Sequence, residues 1–234
     1  TFAVTTNSRD VQYLVDGKKN YWLTNGLKRS GWVRVSGRPG GYGVVVGDVV
    51  VKNNIDVGGH TTGSYSECTF VVDGNLTLTG QLQMRKNSVV IVTGNLTCGK
   101  LYMEDGARLY VKGDITANDM SYDGDSNQKI YCGGNAIIPH NLDSSREFKI
   151  GGNLDAHELS LTYSNYYFGG SIKCTKFNAE NNDMNLIVDS FECSGTTTLN
   201  NRTSLTVNGN AKTGTINMYN DSVISVCGSM SSTN

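Results

Sequence analysis

Apolar and polar residues alternate along most of this chain, and a glycine resets the alternation at nearly regular intervals. In Phe70-Val71-Val72-Asp73-Gly74-Asn75-Leu76-Thr77-Leu78 apolar residues stand four and two places before the glycine. A small polar residue follows it, and apolar residues return two and four places after. The glycine or its stand-in recurs at Gly74, Gly94, Gly113, Gly134, Gly152, Gly170, Asp189, Gly209 and Gly228, at spacings of 20, 19, 21, 18, 18, 19, 20 and 19 residues. Period-two alternation predicts half-buried strands with the alternate apolar residues inward. A period near 19 predicts a solenoid in which each repeat stacks on the last.

The expected inward positions are Phe70, Val90, Leu109, Ile130, Phe148, Tyr166, Asn185, Leu205 and Ile224, four before the anchor. Two before it stand Val72, Val92, Val111, Cys132, Ile150, Phe168, Ile187, Val207 and Val226. A third apolar site follows at Leu82, Leu101, Met120, Leu142, Leu159, Phe177 and Ile216. Three inward segments per repeat predict roughly triangular coils with the glycine at one corner. There, Gly admits positive φ, and the next residue (Asn75, Asn95, Asp114, Asn135, Asn153, Ser171, Ser190, Asn210, Ser229) suits a tight turn. These side chains are placed to hydrogen-bond from rung to rung. The expected fold is all-β, a single solenoid of about 11–12 rungs spaced ~4.8 Å apart.

Residues 1–46 are less regular. Val11–Gly17 and Trp32–Gly37 read as rungs 20 residues apart, so this part is either divergent rungs or a cap, ahead of a continuous solenoid over 47–234. From Gly47 to Gly74 is 27 residues, so about eight loop out, with His60–Ser66 the expected excursion.

One outward column is unusually apolar. Val71, Ile91, Tyr110, Tyr131, Tyr167 and Leu186 stand three before the anchor and form a candidate lateral packing stripe, to be covered by the amino-terminal segment or a neighbouring molecule. The last rung runs into Gly228-Ser229-Met230 without a blocking helix, charge or proline, so Val226, Gly228 and Met230 are candidate end-to-end contacts.

Charge narrows the partners. Only 18% of residues are charged, the formal net charge is −1 and no basic block occurs, which argues against nucleic acid and anionic membrane. The apolar runs are too short to span a bilayer. Thr1 suggests a processed product or an excised fragment, any signal peptide being already gone. Cys98, Cys132, Cys174 and Cys193 occupy inward columns, where a thiol behaves as a small hydrophobe. Cys227 should face out and Cys68 falls near a corner, making these two candidates for an intermolecular disulfide in an oxidising setting. The absence of any Cys-x-x-Cys pair argues against zinc.

Other chemistry is sparse. His140, His157 and Asp155 fall on adjacent rungs, but surface histidines without a ligand are the commoner case, and no metal site or cofactor is expected. Asp123–Asn127 has calcium-type oxygens without the downstream bidentate Glu and reads as a turn. In the column three after the anchor, Asp155, Lys173, Glu192 and Lys212 alternate in sign, as cross-strand pairs on a solvated face do. No carboxylate pair repeats on adjacent rungs as glycan hydrolysis requires, so no enzyme is expected.

The rungs, written apolar-x-apolar-x-Gly-Asn/Asp-apolar over residues 70–230, resemble those of the parallel β-helix class. Their plain, loop-poor style is most similar to the bactofilins, bacterial β-helical polymer formers. The resemblance implies polymerisation through the solenoid ends. The expected function is a non-enzymatic structural protein that self-assembles into a filament, sheath or surface layer of a microbial cell envelope, outside the cell. The alternative is an extracellular adhesin or binding stalk that touches glycan or protein through Tyr163, Tyr166 and Tyr167 or the 60–66 loop.

Overall fold

The computed structural model describes residues 3–4, 20–35, 41–58, 67–124, 127–144, 146–162 and 166–233. Every regular element among them is a β-strand. The chain divides into two compact units, Thr1–Tyr131 and Cys132–Asn234.

In the first unit the strands stack in three parallel series. Asn20–Leu23, Gly41–Val46, Cys68–Asp73, Val89–Val92 and Arg108–Val111 pair in that order. Leu27–Arg29, Val49–Val51, Leu76–Leu78 and the first halves of Leu96–Met103 and Ile115–Tyr122 make the second series. Val33–Val35, Ile55–Val57, Gln81–Met84 and the second halves of those two long strands make the third. The unit is thus a parallel β-solenoid whose coils each contain three strand segments. Alternation fills its interior: Phe70, Val72, Leu76, Leu82 and Met84 are completely buried. Each such side chain contributes about 1.5–3 kcal/mol by leaving water.

The amino-terminal register differs from the expected one. Val33–Val35 lies in the third series, paired with Ile55–Val57, and the coil's corner is Gly26, not Gly37. The Gly26 amide donates to the Val46 carbonyl at 2.9 Å. Leu27 directly follows this glycine instead of standing two places on, so the spacing rule passed over it. Ala3–Val4 pairs antiparallel with Val33–Val35 and covers that strand's edge. Val11–Gly17 and the His60–Ser66 excursion lie outside the described residues.

The second unit repeats the plan. Leu154–Ala156, Ile172–Cys174, the first halves of Phe191–Asn200 and Ala211–Met218, and then Met230–Ser232 form one parallel series. Glu158–Leu161, Lys176–Glu180 and the second halves of the two long strands form another. The third series is interrupted. Glu147–Ile150 pairs with Tyr166–Phe168, and Asn185–Val188, Ser204–Val207 and Val223–Val226 pair among themselves, but no ladder joins Tyr166–Phe168 to Asn185–Val188.

The cause is a corner one residue short. Three residues separate Phe168 from Ile172, and two separate Val188 from Phe191. The strand before the short corner must still bury an apolar pair, so its parity reverses. Leu186 is 2% exposed and Ile187 53%, the opposite of what counting back from Asp189 predicts. Asn185, expected inward, is likewise exposed.

The corners hold the rungs together. The side-chain oxygen of each corner residue accepts the next corner's amide: Asp48 from Asn75, Asn75 from Asn95 and Asn95 from Asp114, at 2.8–2.9 Å. In the second unit Asn135 accepts from Asn153, Asn153 from Ser171 and Asn210 from Ser229. Positive φ explains the glycine only at the earliest corners, Gly26, Gly47 and Gly74. At Gly94 the reason is space, since a Cβ there would sit 2.7 Å from the Gly74 carbonyl oxygen.

Candidate functional site

The apolar outer column of the first unit is a backbone register before it is a surface. Trp22 pairs with Val44, Val44 with Val71, Val71 with Ile91 and Ile91 with Tyr110. Tyr110 and Tyr131 stack face to face, ring centres 5.1 Å apart and planes within 1°. Val44 is buried, while Val71, Ile91, Tyr110 and Tyr131 are half-buried. In the second unit Tyr167 points outward, but Leu186, assigned to the same stripe, is interior, and its outward place is taken by Ile187.

The coil formed by residues 209–232 presents interior-type side chains to solvent. Met218 and Met230 are 51% and 45% exposed, whereas their in-register neighbours Leu199 and Ala211 are buried. Ile224 and Val226 are half-exposed above buried Leu205 and Val207.

The cysteines divide by burial. Cys98, Cys132, Cys174 and Cys193 are interior, as expected, and Cys227 is exposed. Cys68 is also buried, which overturns it as an intermolecular disulfide partner. It leads an inward parity, Cys68-x-Phe70-x-Val72, that extends the strand past the corner. Burial pushes the Cys68 and Cys98 thiols up to about 12, so neither supplies a reactive thiolate near neutral pH. Cys174 and Cys193 are register partners, and the hydrogen bond between them together with burial raises the Cys174 thiol.

An ionic network missed in the sequence lies on the third series of the first unit. Asp56 is fully buried between two arginines: its Oδ2 lies 3.3 Å from Arg34 Nη2, and Arg85 Nε donates to its Oδ1 at 3.0 Å. Arg85 Nη1 also donates to Glu104 Oε1 at 2.8 Å, and the Arg34 guanidinium lies 4.8 Å from the Trp32 ring centre. Burial works against the charge on Arg85, but the bonds to Asp56 and Glu104 outweigh it and hold the guanidinium more firmly ionised. Both carboxylates are engaged, so the cluster ties successive coils and offers no free acid–base pair. Its sequence signal is a charge inside an apolar triplet, Val33-Arg34-Val35 and Ile55-Asp56-Val57.

The remaining candidates separate. His157 bonds through its amide to the His140 carbonyl, and its Nδ1 lies 3.1 Å from Thr175 Oγ1. Among the described residues no three His, Cys, Asp or Glu side chains converge to hold a metal ion. His60 and Tyr163 lie outside the described residues. Asp123 accepts from the Tyr102 hydroxyl and Asn127 from the Gly106 amide, bonds that tie this turn to the preceding coil. Asp155, Lys173, Glu192 and Lys212 are in register, giving the alternating outer row the pattern predicts. No helix among the described residues is long and apolar enough to cross a membrane. No family model, curated protein or solved structure matches the chain.

Proposed function

We propose that this protein is a non-enzymatic structural component that associates with copies of itself into a filament, sheath or surface layer of a microbial cell envelope. The observation that carries the reading is the register-aligned outer column of Val71, Ile91, Tyr110 and Tyr131, an apolar line on the outside of a sheet whose inner face is already packed. Two half-buried columns brought together remove apolar area from both partners, at about 25 cal/mol per Å². The coil of residues 209–232, with Val226, Gly228 and Met230, offers a second contact, across which another copy's coil continues the stack. The similarity of the rungs to those of bactofilins points the same way. An extracellular setting suits the low charge and the exposed Cys227, which can cross-link copies under oxidising conditions.

Sedimentation velocity over a concentration series tests the reading. The wild type should form species larger than the monomer, and Tyr110→Asp and Met230→Asp should each reduce them while circular dichroism stays unchanged. A wild type that sediments as a monomer at every concentration contradicts it.

A further inference from the structure

We infer that the second unit carries a binding cleft for a neutral saccharide at the break between Tyr166–Phe168 and Asn185–Val188. The inference does not depend on self-association, since the cleft shares no residue with the outer column of the first unit or with the coil of residues 209–232.

The break follows from the short corner. Asp189 stays joined to the coil below through its amide, which donates to the Gly170 carbonyl at 2.9 Å. Beyond that bond no ladder joins the two strands. The gap opens into a cleft of about 320 Å³, inside the ~300–1,000 Å³ range of small-molecule sites.

The lining has the chemistry of sugar recognition. Tyr167 is 58% exposed, and its hydroxyl reaches back over Gly169, where a Cβ would come within 3.3 Å of it. The Gly151 carbonyl is what first excludes a Cβ at Gly169, and the exposed phenol forms an aromatic wall beside exposed Ile187. Such a surface takes the C–H face of a pyranose ring. Polar groups complete the cleft. Asn185 Oδ1 accepts from the Ser204 hydroxyl at 2.9 Å, leaving its amide NH₂ to donate. Asp189 and Asn208 also line the cleft, and among the described residues neither uses its side chain in a hydrogen bond. A carboxylate that accepts from two vicinal hydroxyls, with amides that both donate and accept, matches a ring that presents alternating donors and acceptors. No Lys or Arg lines the cleft, and Lys149 on the adjoining strand is paired with Glu147 at 3.0 Å. An anionic glycan would meet Asp189 without a compensating cation, which selects a neutral sugar.

The test is an array of neutral oligosaccharides built from glucose, mannose, galactose or N-acetylglucosamine, beside uronate and sulfated glycans, followed by calorimetric titration of the strongest hit. The expected result is binding to at least one neutral oligosaccharide. Tyr167→Ala should weaken it about tenfold through loss of the aromatic wall. Asp189→Asn, which keeps the side-chain size and the corner amide, should weaken it as well. Both variants should keep the wild-type melting temperature and sedimentation profile. Retention of no neutral glycan, of acidic glycans alone, or equal binding by Tyr167→Ala overturns the assignment. None of these outcomes bears on self-association, which the sedimentation profile reads separately.

Discussion

At the scale of single residues the corners and the thiols are the most constrained positions. Gly94 faces the carbonyl of Gly74 and the amide oxygen of Asn75 so closely that a methyl group cannot enter without moving backbone. Gly94→Ala should therefore destabilise the fold by about 1–3 kcal/mol, as overpacking does, visible as a lower midpoint in urea with the same slope. An unchanged midpoint would show that the corner has slack the geometry denies. The thiols make a second test. Cys227 is the exposed one of six, so native protein should titrate close to one equivalent of a thiol reagent, and unfolded protein all six. Rapid native labelling of Cys68 would contradict its burial.

At the scale of elements, the Asp56 network ties coils together outside the apolar interior. Asp56→Ala leaves Arg34 and Arg85 charged and largely buried, and removing one partner of a buried pair destabilises by about 3–5 kcal/mol. Equilibrium denaturation measures this, and a loss close to that of an exposed surface pair would place the network in water. The strand series themselves were legible because period-two alternation and a period near 19 are local properties, repeated often enough to fix which side chains face inward. The corner ladder was legible for the same reason: Asn75, Asn95 and Asn153 stand at one place in the repeat. The errors came where a corner moved its glycine or changed length. At Gly26 the corner keeps its three residues but the glycine sits one place later, so counting from it passed over Leu27. At Asp189 a residue is missing, and counting from the anchor then shifts the strand's parity, which misassigned Leu186 and Ile187. Composition within the strand could have corrected the second case, since Leu186 and Val188 align with Leu205 and Val207. The ionic network was hidden because its members, Arg34, Asp56, Arg85 and Glu104, come from four successive coils and fall in two different columns. The cleft was hidden because it arises from a ladder that fails to form, which no residue pattern announces.

At the scale of the molecule, each unit is a stack of parallel coils with an apolar interior. The apolar column of the first unit and the open coil of residues 209–232 present side chains that water solvates poorly. Contact between copies is the use we propose for both surfaces. Ala3–Val4 occupies one edge of the first described coil, so a copy that adds there must pair with another segment or displace this strand. The most direct measurement is negative-stain electron microscopy of the purified wild type, with and without reductant, beside Tyr110→Asp. The account predicts filaments, sheets or rings with a regular repeat in the wild type, stabilised without reductant through Cys227 and depleted in Tyr110→Asp. Isolated single particles of wild type under both conditions at high concentration would contradict it.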